Sequence, residues 1–353
     1  MNRNLIVLFF SQIFSFTAAP VTVFLSGIIG SQISPLKSLS TLPMSISVVG
    51  IALGAIVATK TMSLLGRRTG FIIAAISNSL VSLLAAYSVM SQNFILFCFA
   101  NFFIGVGMAF THQYRFAAAE SVDKEKIPKA ISIILLGGIV SAFIGPGTAN
   151  LTKNFLSEQL YVGSYVSLAV YMFLPAIFFL FYTNSTIEKK DISIIGRGYF
   201  EIISQPRFLQ AMVASAFGYA IMTFLMTATP ISMHVMENMS LNITSFVIQM
   251  HVASMFLPSL ITGNLIKKFG HSKIMYVGLL LYSVTILLSL LDQTFLNYLV
   301  ALIFLGFGWN FLFISGTSLL VTTYKEHEKF KAQGLNDFVV YSVHAVGSLS
   351  AGI

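Results

Sequence analysis

"SQNFILFCFANFFIGVGMAF" (91–110) and "DQTFLNYLVALIFLGFGWNF" (292–311) align without a gap at an offset of 201 residues. Gln92/Gln293, Phe94/Phe295, Ala100/Ala301, Phe103/Phe304, Gly105/Gly306, Gly107/Gly308 and Phe110/Phe311 are identical pairs. Each run is nearly free of charge and has the roughly 20-residue length that a helix needs to cross the hydrocarbon core of a bilayer. Outward from this pair the correspondence continues: "LGRR" (65–68) meets "FGHS" (269–272) at an offset of 204, and Lys129-Ala130 meets Lys331-Ala332 at 202. Shared oiliness produces scattered identities. It does not place glycine pairs and basic turns at a near-constant spacing. The chain therefore repeats a membrane-spanning unit, and an even number of spans per copy makes the repeat parallel, with its axis along the membrane normal.

Composition agrees. Of 353 residues, 56% are hydrophobic and only 9% charged, against about 25% charged in soluble domains, and the mean hydropathy is +0.85. Spans are expected at 5–29, 40–62, 70–90, 94–118, 130–150, 160–182, 208–231, 243–266, 274–291, 296–322 and 332–353. With the N-terminus in the cytoplasm, only Lys37 and Lys153 of the twenty lysines and arginines fall outside; basic loops resist translocation, which sets this orientation. The net charge of +8 is thus explained by the membrane and not by nucleic acid. The expectation is an all-α polytopic membrane protein of about eleven helices in two halves related by a pseudo-twofold, 1–182 and 207–353, joined by a cytoplasmic linker, 183–206, in a bacterial inner membrane.

The basic knot "LIKKFGHSK" (265–273) sits between two oily spans. It contains Lys267, Lys268 and Gly270, with Gly263 just before it, and a reduced copy keeps Gly66, Arg67 and Arg68. These turns resemble the G-x-x-x-D-R-x-G-R-R loop of the major facilitator superfamily and its echo in the second half. "GGIVSAFIGPG" (137–147) is similar to the family's helix-five motif, with Gly145 and Pro146 at its Gly-Pro centre. Thr59 and Ser63 replace the first glycine and the acid of the loop motif, and Asn101 stands where the helix-four motif has arginine. The resemblance covers the whole chain and implies a transporter whose basic loops, above all 263–273, latch one half to the other while Gly145 and Pro146 let helix five bend. The family has twelve helices and this chain shows eleven, so a truncated product that ends outside the cell is an alternative expectation.

Ionisable and polar residues inside spans are costly and usually line a path. Asn101, Gly105, Met108, His112 and Arg115 share one helical face; Arg115 is near enough to the inner end to snorkel instead. Gln249 and His251 fall near mid-depth, and His251 either carries a proton or stays neutral, bonded to the next helix. Trp309 and Asn310 follow on helix ten, and Thr227 precedes Pro230 in "MTATP". Asp337, Tyr341 and His344 share a face of helix eleven; Asp337 is also placed as a first-turn acid favoured by the helix dipole. The substrate-path candidates are therefore Asn101, His112, Arg115, Thr227, Gln249, His251, Trp309, Asn310, Tyr341 and His344, and the coupling candidates His251 and Asp337.

The expected activity is secondary transport of a small organic solute by alternating access, with protons as coupling ion and export favoured over import, by a monomer whose other partner is membrane lipid. The single Cys98 and the lack of any histidine pair at ligand spacing within a helix leave no expected metal or cofactor, and no nucleotide-binding loop occurs. A non-transporting fragment is the runner-up. An integral membrane enzyme comes last, because the acids are scattered over cytoplasmic loops.

Overall fold

The computed structural model describes residues 2–156, 158–184 and 196–350. The first span is two helices, α1 (Arg3–Ser15) and α2 (Ala18–Ile33), where one was expected. Pro20 explains the break. It has no N–H for the ladder; the Phe16 carbonyl accepts from Ala19 instead, and the Thr17 hydroxyl donates to the Phe14 carbonyl at 2.6 Å.

The next helix errs in the opposite direction. α3 (Leu42–Met90) is 49 residues long, roughly 73 Å at 1.5 Å per residue, enough for two crossings. The loop expected over 63–69 shrinks to Gly66, whose φ of 78° and ψ of 163° turn the chain back; only glycine takes that conformation cheaply. Gly270 does the same, with φ 84° and ψ 161°, between α11 (Ser259–Phe269) and α12 (His271–Ser289). The two glycines lie 204 residues apart, the offset at which "LGRR" meets "FGHS".

Span four is α4 (Phe94–His112) followed after Gln113 by α5 (Tyr114–Glu120). α6 (Ile127–Thr152) and α7 (Val162–Phe179) complete the first bundle. Of the expected linker, residues 185–195 lie outside the described ones; the rest holds a short helix, α8 (Tyr199–Ile203). α9 (Pro206–Ile231) runs on into a wide turn, Ser232–Met236. α10 (Leu241–Phe256) and α11 share one span and are parted at Leu257-Pro258. α13 (Phe295–Leu320) and α14 (Lys329–Ser350) end the described chain. Nine described segments are long and apolar enough to cross a membrane. One of them, α3, makes two crossings, and α14, more polar because it buries Gln333, Asn336 and Asp337, is the eleventh.

The repeated glycines do equivalent packing. A methyl added at Gly105 would lie 3.1 Å from the Ile51 nitrogen, and one at Gly306 2.9 Å from the Met255 nitrogen; Ile51 and Met255 are themselves 204 apart. Each glycine lets its helix lie backbone to backbone on the second helix of its own half. Across the halves the pattern is again paired: α14 packs along α3, and α10 and α11 pack along α6. The first pair meets where Gly334 faces the Thr59 hydroxyl at 2.6 Å, and the second where Gly263 faces the Lys129 backbone at 2.9 Å, both distances taken from an added Cβ. Thr59 occupies the position equivalent to Gly263, so in the first copy the small residue has moved to the partner helix. These contacts close the bundle at its basic end.

Candidate functional site

Where the halves meet at mid-depth, α1, α4, α6, α9, α10 and α13 bring together Gln12, Phe16, His112, Arg115, Tyr219, Phe256, Trp309 and Phe313. Helix geometry shapes the arrangement: His112 ends α4 and Arg115 follows across the Gln113 break in the first turn of α5, and one face of α13 presents Trp309 and Phe313, four residues apart. The rings form a box. Trp309 stacks on Phe313 at 4.8 Å between centroids, and Tyr219 meets Trp309 edge-on at 5.3 Å and Phe313 at 5.1 Å. From the first half, Phe16 touches Phe256 at 5.3 Å, and the His112 ring lies 4.7 Å from Tyr341. His344 lies at a tilt over Tyr219 at 5.0 Å. About 10 Å³ of free space remains, which is the threshold for one water. A solute enters only after the halves part.

The floor of the box is a buried ion pair. Arg115 of α5 binds Asp337 of α14, and the two side chains are 2% and 1% exposed. The Gln113 amide donates to the second carboxylate oxygen at 2.8 Å, Asn336 to the first at 2.9 Å, and Arg115 also donates to the Tyr341 hydroxyl at 3.1 Å. Phe116 and Phe313 cover the guanidinium from 4.6 and 4.5 Å. Every partner is needed, because burying two ions costs several kcal/mol each (an order-of-magnitude figure) unless geometry and extra hydrogen bonds compensate. Even so, Arg115 Nε, Trp309 Nε1 and His344 Nδ1 have no hydrogen-bond partner among the described residues. Of these residues Trp309 and Arg115 line the cavity, and His344 packs behind it on Tyr219.

Nearer the basic end a second network crosses the halves. Arg67 Nε donates to Glu120 at 2.7 Å, and its Nη2 reaches the Gln333 amide oxygen, also at 2.7 Å. The Gln333 amide nitrogen returns to Glu120 at 3.2 Å and to the Tyr324 hydroxyl at 2.7 Å, and Lys329 stands 3.6 Å from Glu120. Arg67, Glu120 and Lys329 are all at most 10% exposed.

The predicted residues thus divide. His112, Arg115, Trp309, Tyr341, His344 and Asp337 converge on the box and its floor. Asn101 does not: it accepts from Ser26 at 3.1 Å and donates to the Phe97 carbonyl, joining α2 to α4. Asn310 ties α13 to α10 and α11 through Thr262 at 2.7 Å, Ser259 at 2.8 Å and the Met255 carbonyl at 2.6 Å. His251 is fastened through Nδ1 to the Leu302 carbonyl at 2.8 Å, which ties α10 to the neighbouring helix α13. Gln249 is half-buried on α10, away from the box; the side chain of Thr227 lies outside the described ones. Arg115 does not snorkel, and Asp337 is eight residues into α14, roughly 12 Å along it, too deep for a first-turn acid. In the basic turns the buried cross-half contact sits on the reduced copy, where Arg67 pairs with Glu120 of its own half and donates to Gln333 of the other. Lys267 reaches only an exposed Glu125 at 4.0 Å, and Lys268 lies over its neighbour Phe269. Arg68 caps α7 of its own half, donating to the carbonyls of Phe179 and Leu180 at 3.2 and 2.7 Å. Gly145 lies against the α1–α2 break, 3.2 Å from the Thr17 carbonyl by its added Cβ, one residue before Pro146 inside α6. Sequence reading missed Tyr219, Phe16, Phe256, Gln113, Glu120 and Gln333. Glu120 alone left a trace, as the acid that follows the apolar run Phe116–Ala119.

Residues 5–348 match the family described as the Major Facilitator Superfamily. The chain is 34% identical over 353 residues to the riboflavin transporter RfnT of Brucella anthropi, covering 99% of this chain and 88% of that one. It is 24% identical to YddS of Bacillus subtilis, an uncharacterized MFS-type transporter, over all of this chain and 84% of the relative. In fold it is similar to the crystal structure of the human organic anion transporter MFSD10 (TETRAN), with a TM-score of 0.78 at 14% identity, covering 99% of this chain and 92% of the other.

Proposed function

The chain belongs to the Major Facilitator Superfamily, and from that premise we propose that it carries a flat, conjugated small organic solute, riboflavin or a compound of its class, by alternating access. It is a transporter and not an enzyme. The observation that supports the solute class is the ring box at the seam of the halves, two of whose lining residues, Trp309 and Arg115, keep an unpaired Nε1 and Nε among the described residues. Stacked rings offer dispersion and offset-stacking surface to a planar heteroaromatic, and unpaired polar atoms discriminate for a solute whose edge completes them. A relative named for riboflavin transport, aligned along nearly its whole length, points to the same chemistry.

The moving bodies are 1–182 and 207–353, with 183–206 as linker. They rock about the box; the Arg67 and Arg115 networks hold the basic end shut in one state and release it in the other. That end faces the cytoplasm of a bacterial inner membrane, an orientation that the charge bias supports, and the unit is a monomer. The driving ion is the proton. Of the two titrating candidates, Asp337 bounds the box and crosses the halves, whereas His251 does neither, so Asp337 carries the coupling. Export is the direction in the cell.

Purified protein in liposomes tests this through the intrinsic fluorescence of riboflavin. The expected result is saturable flux, faster under an imposed pH gradient and reversed when the gradient is reversed. Flux no greater than in empty liposomes overturns the solute class, and saturable flux indifferent to the gradient overturns the coupling alone. Asp337→Asn is expected to keep solute binding and lose the gradient response.

A further inference from the structure

Away from the box, the outer face of α1 and α7 carries a groove of about 350 Å³ lined by Arg3, Ile6, Val7, Phe10, Phe178 and Phe181. It opens sideways, towards the hydrocarbon, and Ile6, Phe10 and Phe181 are 40%, 46% and 54% exposed. Its mouth is at the basic end. There Arg3 lies over the Phe181 ring at 5.9 Å, with no carboxylate within salt-bridge distance among the described residues. The arginine is held in place from both sides. Asn2 donates to the Ser121 carbonyl at 2.8 Å, and Asn4 exchanges two hydrogen bonds with the Thr183 backbone at 2.8 and 3.0 Å. The backbone on either side of Arg3 is thereby tied to the ends of α5 and α7, while its guanidinium stays at the mouth. Arg68, also exposed, binds the turn just before Phe181.

We propose that this groove is a binding site for one phospholipid with an anionic headgroup, from the leaflet at the basic end. Its phosphate meets Arg3, and an acyl chain lies along the trough over Ile6, Phe10 and Phe178, whose two rings touch each other at 6.2 Å. Charge complementarity selects the occupant. The exposed Arg3 guanidinium stands over Phe181 at the end of an apolar trough, whereas Arg68 is already bonded to the carbonyls of Phe179 and Leu180, so a neutral lipid leaves the Arg3 charge unmatched and a soluble anion leaves the trough bare. The position also matters mechanically. α1 packs on α6 and α7, and α6 carries the first half's contacts to α10 and α11, so a lipid seated here braces the half from outside without entering the solute path.

Native mass spectrometry of the full-length chain in detergent tests the site, using phosphatidylglycerol and phosphatidylcholine of identical chains. One phosphatidylglycerol is expected to be retained with a preference of about fivefold per basic contact. Arg3→Gln removes the preference, and Arg3→Lys keeps most of it. Ile6→Trp, which fills the trough and spares the charge, abolishes tight retention of either lipid. Glycerol phosphate, which has no chains, does not displace the bound lipid. Equal retention of both lipids by the natural chain, or an unchanged preference in Arg3→Gln, overturns the proposal. Displacement by glycerol phosphate overturns the acyl-chain part and leaves an anion site. Riboflavin flux in liposomes is an independent readout, so failure here and failure of the solute assignment are distinguishable.

Discussion

Asp337 has its negative charge matched by one cation, Arg115, and two amides. Removing one member of a buried pair strands the other, so Asp337→Ala should lower the unfolding free energy by about 3–5 kcal/mol. Replacing both ions by apolar residues, Arg115→Met with Asp337→Leu, should regain most of that loss. Unfolding of the purified protein in detergent checks both, and a double variant no more stable than Asp337→Ala would show that the charges are not a pair. Trp309 gives a gentler test. Its ring is packed, but its N–H is unpaired, so Trp309→Phe keeps the stacking surface and removes one donor. We expect solute binding to weaken by about fivefold, the net worth of one hydrogen bond near 1 kcal/mol, with little change in melting temperature. At this scale the sequence was half legible. Residues on one helical face, such as Asp337, Tyr341 and His344, can be grouped from spacing alone. Partners 222 or 266 positions apart, Arg115 with Asp337 and Arg67 with Gln333, leave no local trace. For the same reason Asn310 and His251 read as path residues: a polar side chain bonded to a neighbouring helix looks in sequence like one that faces a solute.

Gly66 and Gly270 carry a conformation that other residues reach only with strain of about 1–3 kcal/mol. Gly270 has open space around its would-be Cβ, whereas Gly66 faces the Asn184 side chain at 2.9 Å. If the backbone sets the cost, Gly66→Ala and Gly270→Ala should destabilise by similar amounts; a harmless Gly270→Ala would place the cost in packing instead. Two of the three helix breaks that the reading missed lie beside a proline, Pro20 and Pro258, whose missing N–H is visible in sequence although its outcome, kink or gap, depends on what packs there; the third, at Gln113, has no proline to mark it. The merger of two spans into α3 was hidden because a one-residue reversal needs only a glycine. A third element-scale device closes the linker. Arg197 donates to Glu328 at 2.9 Å from both its backbone and its Nε, and this pairing holds the Glu328 carboxyl down at about 2, against an ordinary 4.5. A depressed carboxyl stabilises the fold above pH 4.5 and loses that contribution as pH falls towards 2. Protection from hydrogen exchange around α8 should therefore hold down to pH 4.5 and fall away between 4.5 and 2; in Arg197→Gln it should already be lower at neutral pH and lose that acid-dependent step.

At the scale of the whole molecule, the duplication was the most readable feature, since it repeats motifs at a spacing that no single helix explains. What it could not convey is which copy of a motif bears which contact. The lysines of the fuller basic turn, Lys267, Lys268 and Lys273, are exposed, while the reduced one places Arg67 in the buried seam with Glu120 and Gln333. Position against the other half decides this, and position belongs to the tertiary fold. The seam also offers a direct test of rocking. Thr59 and Gly334 touch across the halves at the basic end, and the single natural thiol, Cys98, is buried in α4. Thr59→Cys with Gly334→Cys should therefore form a disulfide under mild oxidation with little background. If that end must open during each cycle, oxidation should stop solute flux and reductant should restore it, while either single variant transports throughout. A bond that forms in full yet leaves flux intact would mean that the basic end stays shut during transport, and the two halves would then have to pass the solute by some route other than alternating access at this seam.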